Sequence, residues 1–302
     1  MSEEAPLVSI GIPTYNRERL IGRAIESALN QDYPNIEIVI SDNASTDATS
    51  EVCRRYAQEQ PNVRYVRQPR NLGAIRNFDA VLRQSSGQFF MWLGDDDWLD
   101  SNYVRLALAR LNMNAEVALV GGTPLYYAGG IHQGPGKVFS LLQGSAWQRV
   151  LAYYWKVGDN GLFYGLMRRA ELQHSTLPNC MGSDWVFIAN AAARGKVVML
   201  AETSVHRELG GATASYAGIA RVLGLPSMHA AFPHIVIAAH AFSDIAFRSP
   251  TYMHHMWWTR YAWAACAFGC IVTKASVDRT RRWAVRARNG LRRAFATASA
   301  PR

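Results

Sequence analysis

The sequence predicts an α/β protein, a mostly parallel sheet flanked by helices with a helical C-terminal extension. Three observations lead there. Through residue 121, short β-rich runs alternate with segments of helical spacing, the pattern of parallel strands joined by crossover helices. Each run ends in polar residues, and ligands of such sheets bind beyond the carboxyl ends of the strands. A hydrophobic content of 49% with 18% charged residues over 302 residues describes a globular chain able to bury a large core.

Residues 7–12 (LVSIGI) form a short β-rich run ended by Pro13. Residues 18–30 place apolar or small side chains at 20, 21, 24, 25, 28 and 29, which is helical spacing. A second strand covers 36–40. Ser45, Thr46 and Asp47 can cap the helix that follows, to about residue 58. Residues 63–66 are a third strand, 74–84 a helix and 88–93 a fourth strand. Asp100 and Ser101 cap a further helix, and 115–121 is a fifth strand. After residue 122 the periodicity weakens. The Gly- and Tyr-rich segment 123–145 reads as loop, 162–167 as a strand, 183–194 as a helix capped by Ser183, and 197–200 as a short strand. From Gly218 onward the pattern is helical.

The net charge of +9 is local. Residues 279–302 hold eight arginines and no Asp or Glu, so the rest of the chain carries only +1. The four cysteines form no zinc-like pattern with histidine, and Cys266 and Cys270, four apart in an apolar stretch, read as one face of a buried helix. Sparse use of this kind fits a reducing compartment. The polar, acidic start is not a secretory signal. The longest apolar run, 261–273, falls short of the roughly 20 residues of a bilayer span.

The chemistry concentrates in Phe89-Phe90-Met91-Trp92-Leu93-Gly94-Asp95-Asp96-Asp97-Trp98-Leu99. A strand that apolar is buried, and three adjacent carboxylates at its end repel unless a cation lies among them. Hard oxygen ligands suit a divalent metal; the run alone also fits an exposed acidic turn. Strand one ends at Pro13-Thr14-Tyr15-Asn16, strand two at Ser41-Asp42-Asn43, and strand three near residues 67–73. All four clusters fall at one edge of the sheet.

With these motifs in view, residues 7–210 resemble the family 2 glycosyltransferases of the GT-A fold. The resemblance rests on VSIGIPTYNR (8–17), ALNQDYPNIEIVISDNASTD (28–47), NLGAIRN (71–77), the acidic run and Gly182-Ser183-Asp184-Trp185. It implies transfer of a sugar from a nucleotide-diphosphate donor to an acceptor hydroxyl, with inversion and with Mn2+ or Mg2+ as cofactor. It also implies a catalytic unit of residues 1–215, with a donor half (7–121) and an acceptor half (122–215), followed by a helical region (216–302). In the family pattern, Asp-x-Asp-Asp, Gly94 stands where the first Asp would be.

Carried over residue by residue, the resemblance gives Asp96 as metal ligand, with Asp97 beside it, His206 near the metal or the diphosphate, and Asp95 contacting the ribose or sugar or sharing the metal. Asp42 would accept a hydrogen bond from the base, as an acceptor-only group can; an Asx-turn or cap is its other reading. Pro13, Thr14, Tyr15, Asn16, Asn71, Gly73 and Arg76 would contact the donor. Asp184 matches the family's Glu-Asp element, Ser183 replacing the Glu, and would be the general base that transfer requires. On residue chemistry alone, Ser183 and Asp184 equally well start a helix. The Gln-x-x-Arg-Trp element of processive relatives is missing after Asp184, which implies single-sugar addition.

Acceptor candidates are saccharide, lipid-linked or small-molecule. The aromatics at 257–268 followed by arginines suit an anionic membrane surface on the cytoplasmic side, or else a packed helix with a free basic end. No nucleic-acid recognition motif accompanies the arginines. A non-catalytic binding module is the contrasting reading of the Gly94 and Ser183 replacements. A sugar nucleotidyltransferase would carry a Gly- and Arg-rich phosphate loop after strand one, and Pro13-Thr14-Tyr15-Asn16 is not one.

Overall fold

The computed structural model describes residues 5–172, 177–210 and 215–298, with side chains to residue 281. The first half runs β1 (Val8–Thr14), α1 (Ile21–Leu29), β2 (Ile36–Asp42), α2 (Thr49–Glu59), β3 (Val63–Arg67), α3 (Ala74–Gln84) and β4 (Phe89–Trp92). These strands lie in the order β3-β2-β1-β4, all parallel. Every residue of β1 and β4 is buried, as expected of parallel strands covered on both faces.

The second half adds β5 (Trp98–Leu99), α4 (Tyr103–Met113), β6 (Val117–Ala128), β7 (Ile131–Pro135), α5 (Ala146–Lys156), a 3-10 turn (Gly161–Tyr164), β8 (Leu166–Arg168), α6 (Ser183–Arg194) and β9 (Lys196–Glu208). The sheet continues β4-β8-β6-β9-β5, with β7 on β6. Here it is mixed: β8 is antiparallel to both β4 and β6, while β6 and β9 are parallel. The core is continuous across the two halves. Trp92 of β4 stacks on Phe163 of the 3-10 turn, centroids 5.1 Å apart.

Three local expectations change. The segment 123–145 is not all loop: β6 runs on to Ala128 and turns into β7 through Gly129 and Gly130, both at positive φ. A two-residue hairpin needs that geometry, and glycine supplies it without strain. Residues 162–164 belong to the 3-10 turn, leaving β8 only three residues. Ser183 is the first residue of α6 rather than its cap, which is Gly182 at φ +75°.

The C-terminal region is helical: α7 (Tyr216–Val222), α8 (Ser227–Ala231), α9 (Pro233–Ser243) and α10 (Trp257–Ala298). α10 packs on α9 and α5, burying Ala264, Ala267 and Ile271, with Trp263 stacked on Trp147. The face that holds Cys266 is exposed rather than buried. Among the described residues no helix is long and apolar enough to cross a membrane. The arginine side chains beyond residue 281 lie outside the described residues.

Candidate functional site

Beyond the carboxyl ends of β1 and β4 lies a cavity of about 530 Å³. Pro13, Thr14, Tyr15, Asn16 and Arg17 come to it from the end of β1, Asn43 from β2, and Asn71, Gly73, Ala74, Asn77 and Phe78 from the turn into α3. Gly94, Asp95 and Asp96 follow β4, while Tyr164 and Val222 arrive from the second half and from α7. Parallel strands force this convergence, because each crossover starts at the same edge.

The loops are fastened to one another before any ligand enters. Asn16 sits at φ 55°, a conformation Asn tolerates. Its amide donates to Ser45 Oγ (2.9 Å), and its side-chain oxygen accepts from the Thr46 amide (2.8 Å). Asn43 Oδ1 accepts from the Leu72 amide (2.7 Å), and its Nδ2 donates to Asn71 Oδ1 (2.9 Å). Buried Asn77 donates to the carbonyls of Ser41 (2.9 Å) and Thr14 (3.3 Å), and accepts from Ser41 Oγ (2.7 Å). One side chain thereby ties α3 to both β1 and β2.

Asp42 is placed behind this wall. Its carboxylate is fully buried, accepting from the Ser45 amide (2.9 Å) and the Tyr65 hydroxyl (2.7 Å), with Arg67 Nε at 3.6 Å. These protein partners occupy the carboxylate, and its neighbour Asn43 lines the cavity. Arg76 is exposed on α3 and does not line the cavity.

The three acidic residues diverge. Asp95 faces the cavity, 3.3 Å from Arg17 Nε, and accepts from the Tyr15 amide (3.4 Å). Burial, then the neighbouring Asp96, push its pKa up to about 7, with Arg17 opposing. Asp96 also lines the cavity. Its carbonyl accepts from Arg23 (2.7 Å), and among the described residues its carboxylate has no hydrogen-bond or ion-pair partner.

Asp97 turns away into the protein. Its carboxylate accepts from the Glu208 amide (3.1 Å) and faces Arg207 Nε at 3.6 Å. Burial lowers the Arg207 pKa less than Tyr164, Asp97 and Tyr126 raise it, so that guanidinium stays charged. The turn of Asp97 accounts for Gly94. A Cβ at that position would stand 2.6 Å from Asp97 Oδ2 and 3.0 Å from the Tyr164 hydroxyl.

His206 is likewise held away from the cavity. Paired with Trp98 across β5 and β9, it stacks on that indole, its Nε2 2.8 Å from Asp100 Oδ1 and its Nδ1 3.1 Å from the Tyr127 hydroxyl. The expected metal set Asp96, Asp97 and His206 is therefore not assembled: two of the three are engaged by protein partners. Among the described residues no three His, Cys, Asp or Glu side chains converge as a metal cluster.

Asp184 opens α6 and accepts from Asn160 Nδ2 (2.8 Å). Burial raises its pKa, against that hydrogen bond, the Trp185 amide and Arg207. Asp184 itself does not line the cavity. The turn that begins beside Asn160 ends at Tyr164, in the cavity wall.

Arg17, Asn43, Asn77, Tyr164 and Val222 reach the cavity without having been singled out in the sequence. Arg17, Asn43 and Asn77 stand inside the quoted motifs and were open to selection there. Tyr164 and Val222 have no local signal.

Comparison with known proteins gives the family and the fold. Glycosyltransferase GlyA of Streptococcus pneumoniae is 29% identical over 178 residues, 58% of this chain and 24% of that one. Chondroitin synthase of Escherichia coli is 35% identical over 118 residues, 39% and 17% of the two chains. The GalNAc(5)-diNAcBac-PP-undecaprenol beta-1,3-glucosyltransferase of Campylobacter jejuni is 34% identical over 108 residues, 35% of each. The chain thus spans about a third or less of these relatives' lengths.

Among solved structures, residues 1–349 of S. aureus TarS with UDP superpose with a TM-score of 0.56 at 17% identity, covering 89% of this chain and 80% of that one. The mannosyltransferase PcManGT of Pyrobaculum calidifontis, with GDP-Man and Mn2+, gives 0.53 at 17%, covering 93% and 80%. At that identity the likeness speaks for the GT-A fold alone. The profile of glycosyl transferase family 2 matches residues 9–175, from the first strand through the acidic run and the Tyr164 turn. The chain belongs to that family.

Proposed function

We propose that the chain is an inverting glycosyltransferase that moves a single sugar from a UDP-, dTDP- or GDP-sugar to an acceptor hydroxyl. Residues 1–215 form its catalytic unit, and the helical region from 216 adds Val222 to the donor cavity. The observation that carries this reading is the Asp96 carboxylate, which lines the cavity at the strand ends with no protein partner among the described residues. An unpaired carboxylate beside Asp95 is unfavourable without a cation, and a divalent ion that takes most of its ligands from phosphates needs only one or two carboxylates. The site therefore fits Mn2+ or Mg2+ held by Asp96, with Asp95 alongside. When bound, that ion neutralises the charge of the departing nucleotide diphosphate.

The chain's own side chains do the rest. Thr14, Tyr15, Asn43 and Asn71 wall the nucleotide end, with Pro13, Asn16 and Gly73 shaping the backbone around it. Asn43, its side chain held by the Leu72 amide and by Asn71, shapes the wall beside the base. Arg17 holds Asp95 in place. Asp184 is the general base; burial raises its pKa, which makes the carboxylate a stronger proton acceptor.

The acceptor class is saccharide or lipid-linked, in cell-surface glycan synthesis, as the relatives' names suggest. The arginine-rich C-terminus attaches the protein peripherally to the cytoplasmic face of an anionic membrane. Calorimetric titration of UDP with and without Mn2+ tests the site. Asp96→Ala is expected to lose the Mn2+-dependent gain in affinity by at least about tenfold while keeping its melting temperature. Equal Mn2+ dependence in variant and wild type overturns the assignment.

A further inference from the structure

α10 carries an exposed apolar strip for which the catalytic reading has no use. Trp257, Trp258 and Tyr261 at its start are 62%, 52% and 40% exposed. The rings of Trp257 and Phe247 meet Tyr261 edge-on, at 6.0 and 5.2 Å. The exposed positions that follow, Ala265, Cys266, Gly269 and Thr273, are uncharged. Arg260 is the only charged residue from 257 to 273, and it is half-buried, turned onto the Met253 sulfur.

Along the same strip, α5 and α10 enclose an apolar groove of about 580 Å³, flanked by half-exposed Trp155 with Lys156 at its edge. Arg279 and Arg281 are exposed next, within the acid-free segment of eight arginines. At 1.5 Å per residue, positions 257–281 span about 36 Å.

We infer that this strip is a membrane-docking face, on which α10 lies in the plane of an anionic bilayer with its aromatics among the headgroups and its arginines on the lipid phosphates. The strip is apolar, so a purely electrostatic partner such as nucleic acid would leave it in water. Its tryptophans and tyrosine are the side chains favoured where one end is apolar and the other wet. Charge complementarity selects the lipid: the basic charge of this chain is concentrated at one end of the strip, and anionic headgroups attract such a segment. The inference rests on the peripheral-membrane reading above but differs from it, because it assigns the hold to the apolar strip as well as to the arginines.

Co-sedimentation with phosphatidylglycerol and phosphatidylcholine vesicles tests it. The variants are Trp257→Ser/Trp258→Ser/Tyr261→Ser with an intact tail, and a chain ending at Ser276. The expected result is preference for phosphatidylglycerol, at least about a tenfold loss of partitioning in the triple variant, and residual wild-type binding in about 0.5 M salt, where screening removes the arginine contribution. UDP affinity, unchanged in the triple variant, reports an intact fold.

A triple variant that binds as wild type, or wild type released fully by salt, overturns the strip and leaves the tail reading standing. A truncated chain that binds as wild type overturns the tail and leaves the strip. Concentration-dependent dimerisation without vesicles, abolished in the triple variant, makes the strip a self-interface and overturns the inference.

Discussion

Two carboxylates only two residues apart, Asp95 and Asp97, meet opposite fates, and backbone direction decides between them. Asp95 points to the cavity and has a pKa pushed up to about 7 by burial and by Asp96. An acid whose pKa is higher folded than unfolded binds extra protons in the folded state. Its contribution is therefore favourable below about pH 4 and is lost as pH rises through about 7. Asp95→Asn removes that loss. Without metal, its stability relative to wild type is expected to be on the order of 2 kcal/mol better at pH 8 than at pH 4, read from urea unfolding at both pH values. A constant difference between the two pH values would refute the assignment. Asp97 turns inward to Arg207, and in that conformation a Cβ at position 94 would crowd its carboxylate and the Tyr164 hydroxyl. Restoring the family's carboxylate with Gly94→Asp is expected to cost about 2–3 kcal/mol in the same assay.

Among the elements, α3 and α6 position the chemistry from outside the strands. Asn77 on α3 joins two strand ends through three hydrogen bonds. Asn77→Leu leaves the Ser41 and Thr14 carbonyls without that donor, so a loss of about 2–4 kcal/mol is expected, with weaker UDP binding by calorimetry. α6 is capped by Gly182, whose φ of +75° suits glycine and where a Cβ would stand 2.8 Å from Ile237. Gly182→Ala is expected to destabilise by about 1–3 kcal/mol. It also shifts the start of the helix that carries Asp184, so transfer to acceptor falls while UDP affinity holds. A loss of both together would place Gly182 in general folding rather than in setting the base.

Across the whole molecule, one core spans both halves, and the helical extension joins it through α7, α9 and the first part of α10. On α10 the buried residues are Ala264, Ala267 and Ile271, all before residue 277. A chain ending at Ser276 is therefore expected to unfold within about 1 kcal/mol of the full chain and to retain donor hydrolysis. A large loss in thermal denaturation would show that the distal half of α10 also supports the core.

The sequence by itself determined the α/β alternation, the parallel first half and the edge at which Pro13, Asn43, Asn71 and the acidic run gather. Strand period, helix period and crossover direction are local properties that leave their mark in every run of residues. Tertiary structure alone decided which groups face the cavity. Asp42 and Asp97 read like ligands but are claimed by Tyr65 and Arg207, partners far along the chain, and His206 is claimed by Trp98 and Asp100 through the pairing of β9 with β5. Tyr164 and Val222 enter the wall from segments with no motif. A side chain's chemistry is written in its residue type, but its availability depends on which distant group reaches it first, and only packing fixes that.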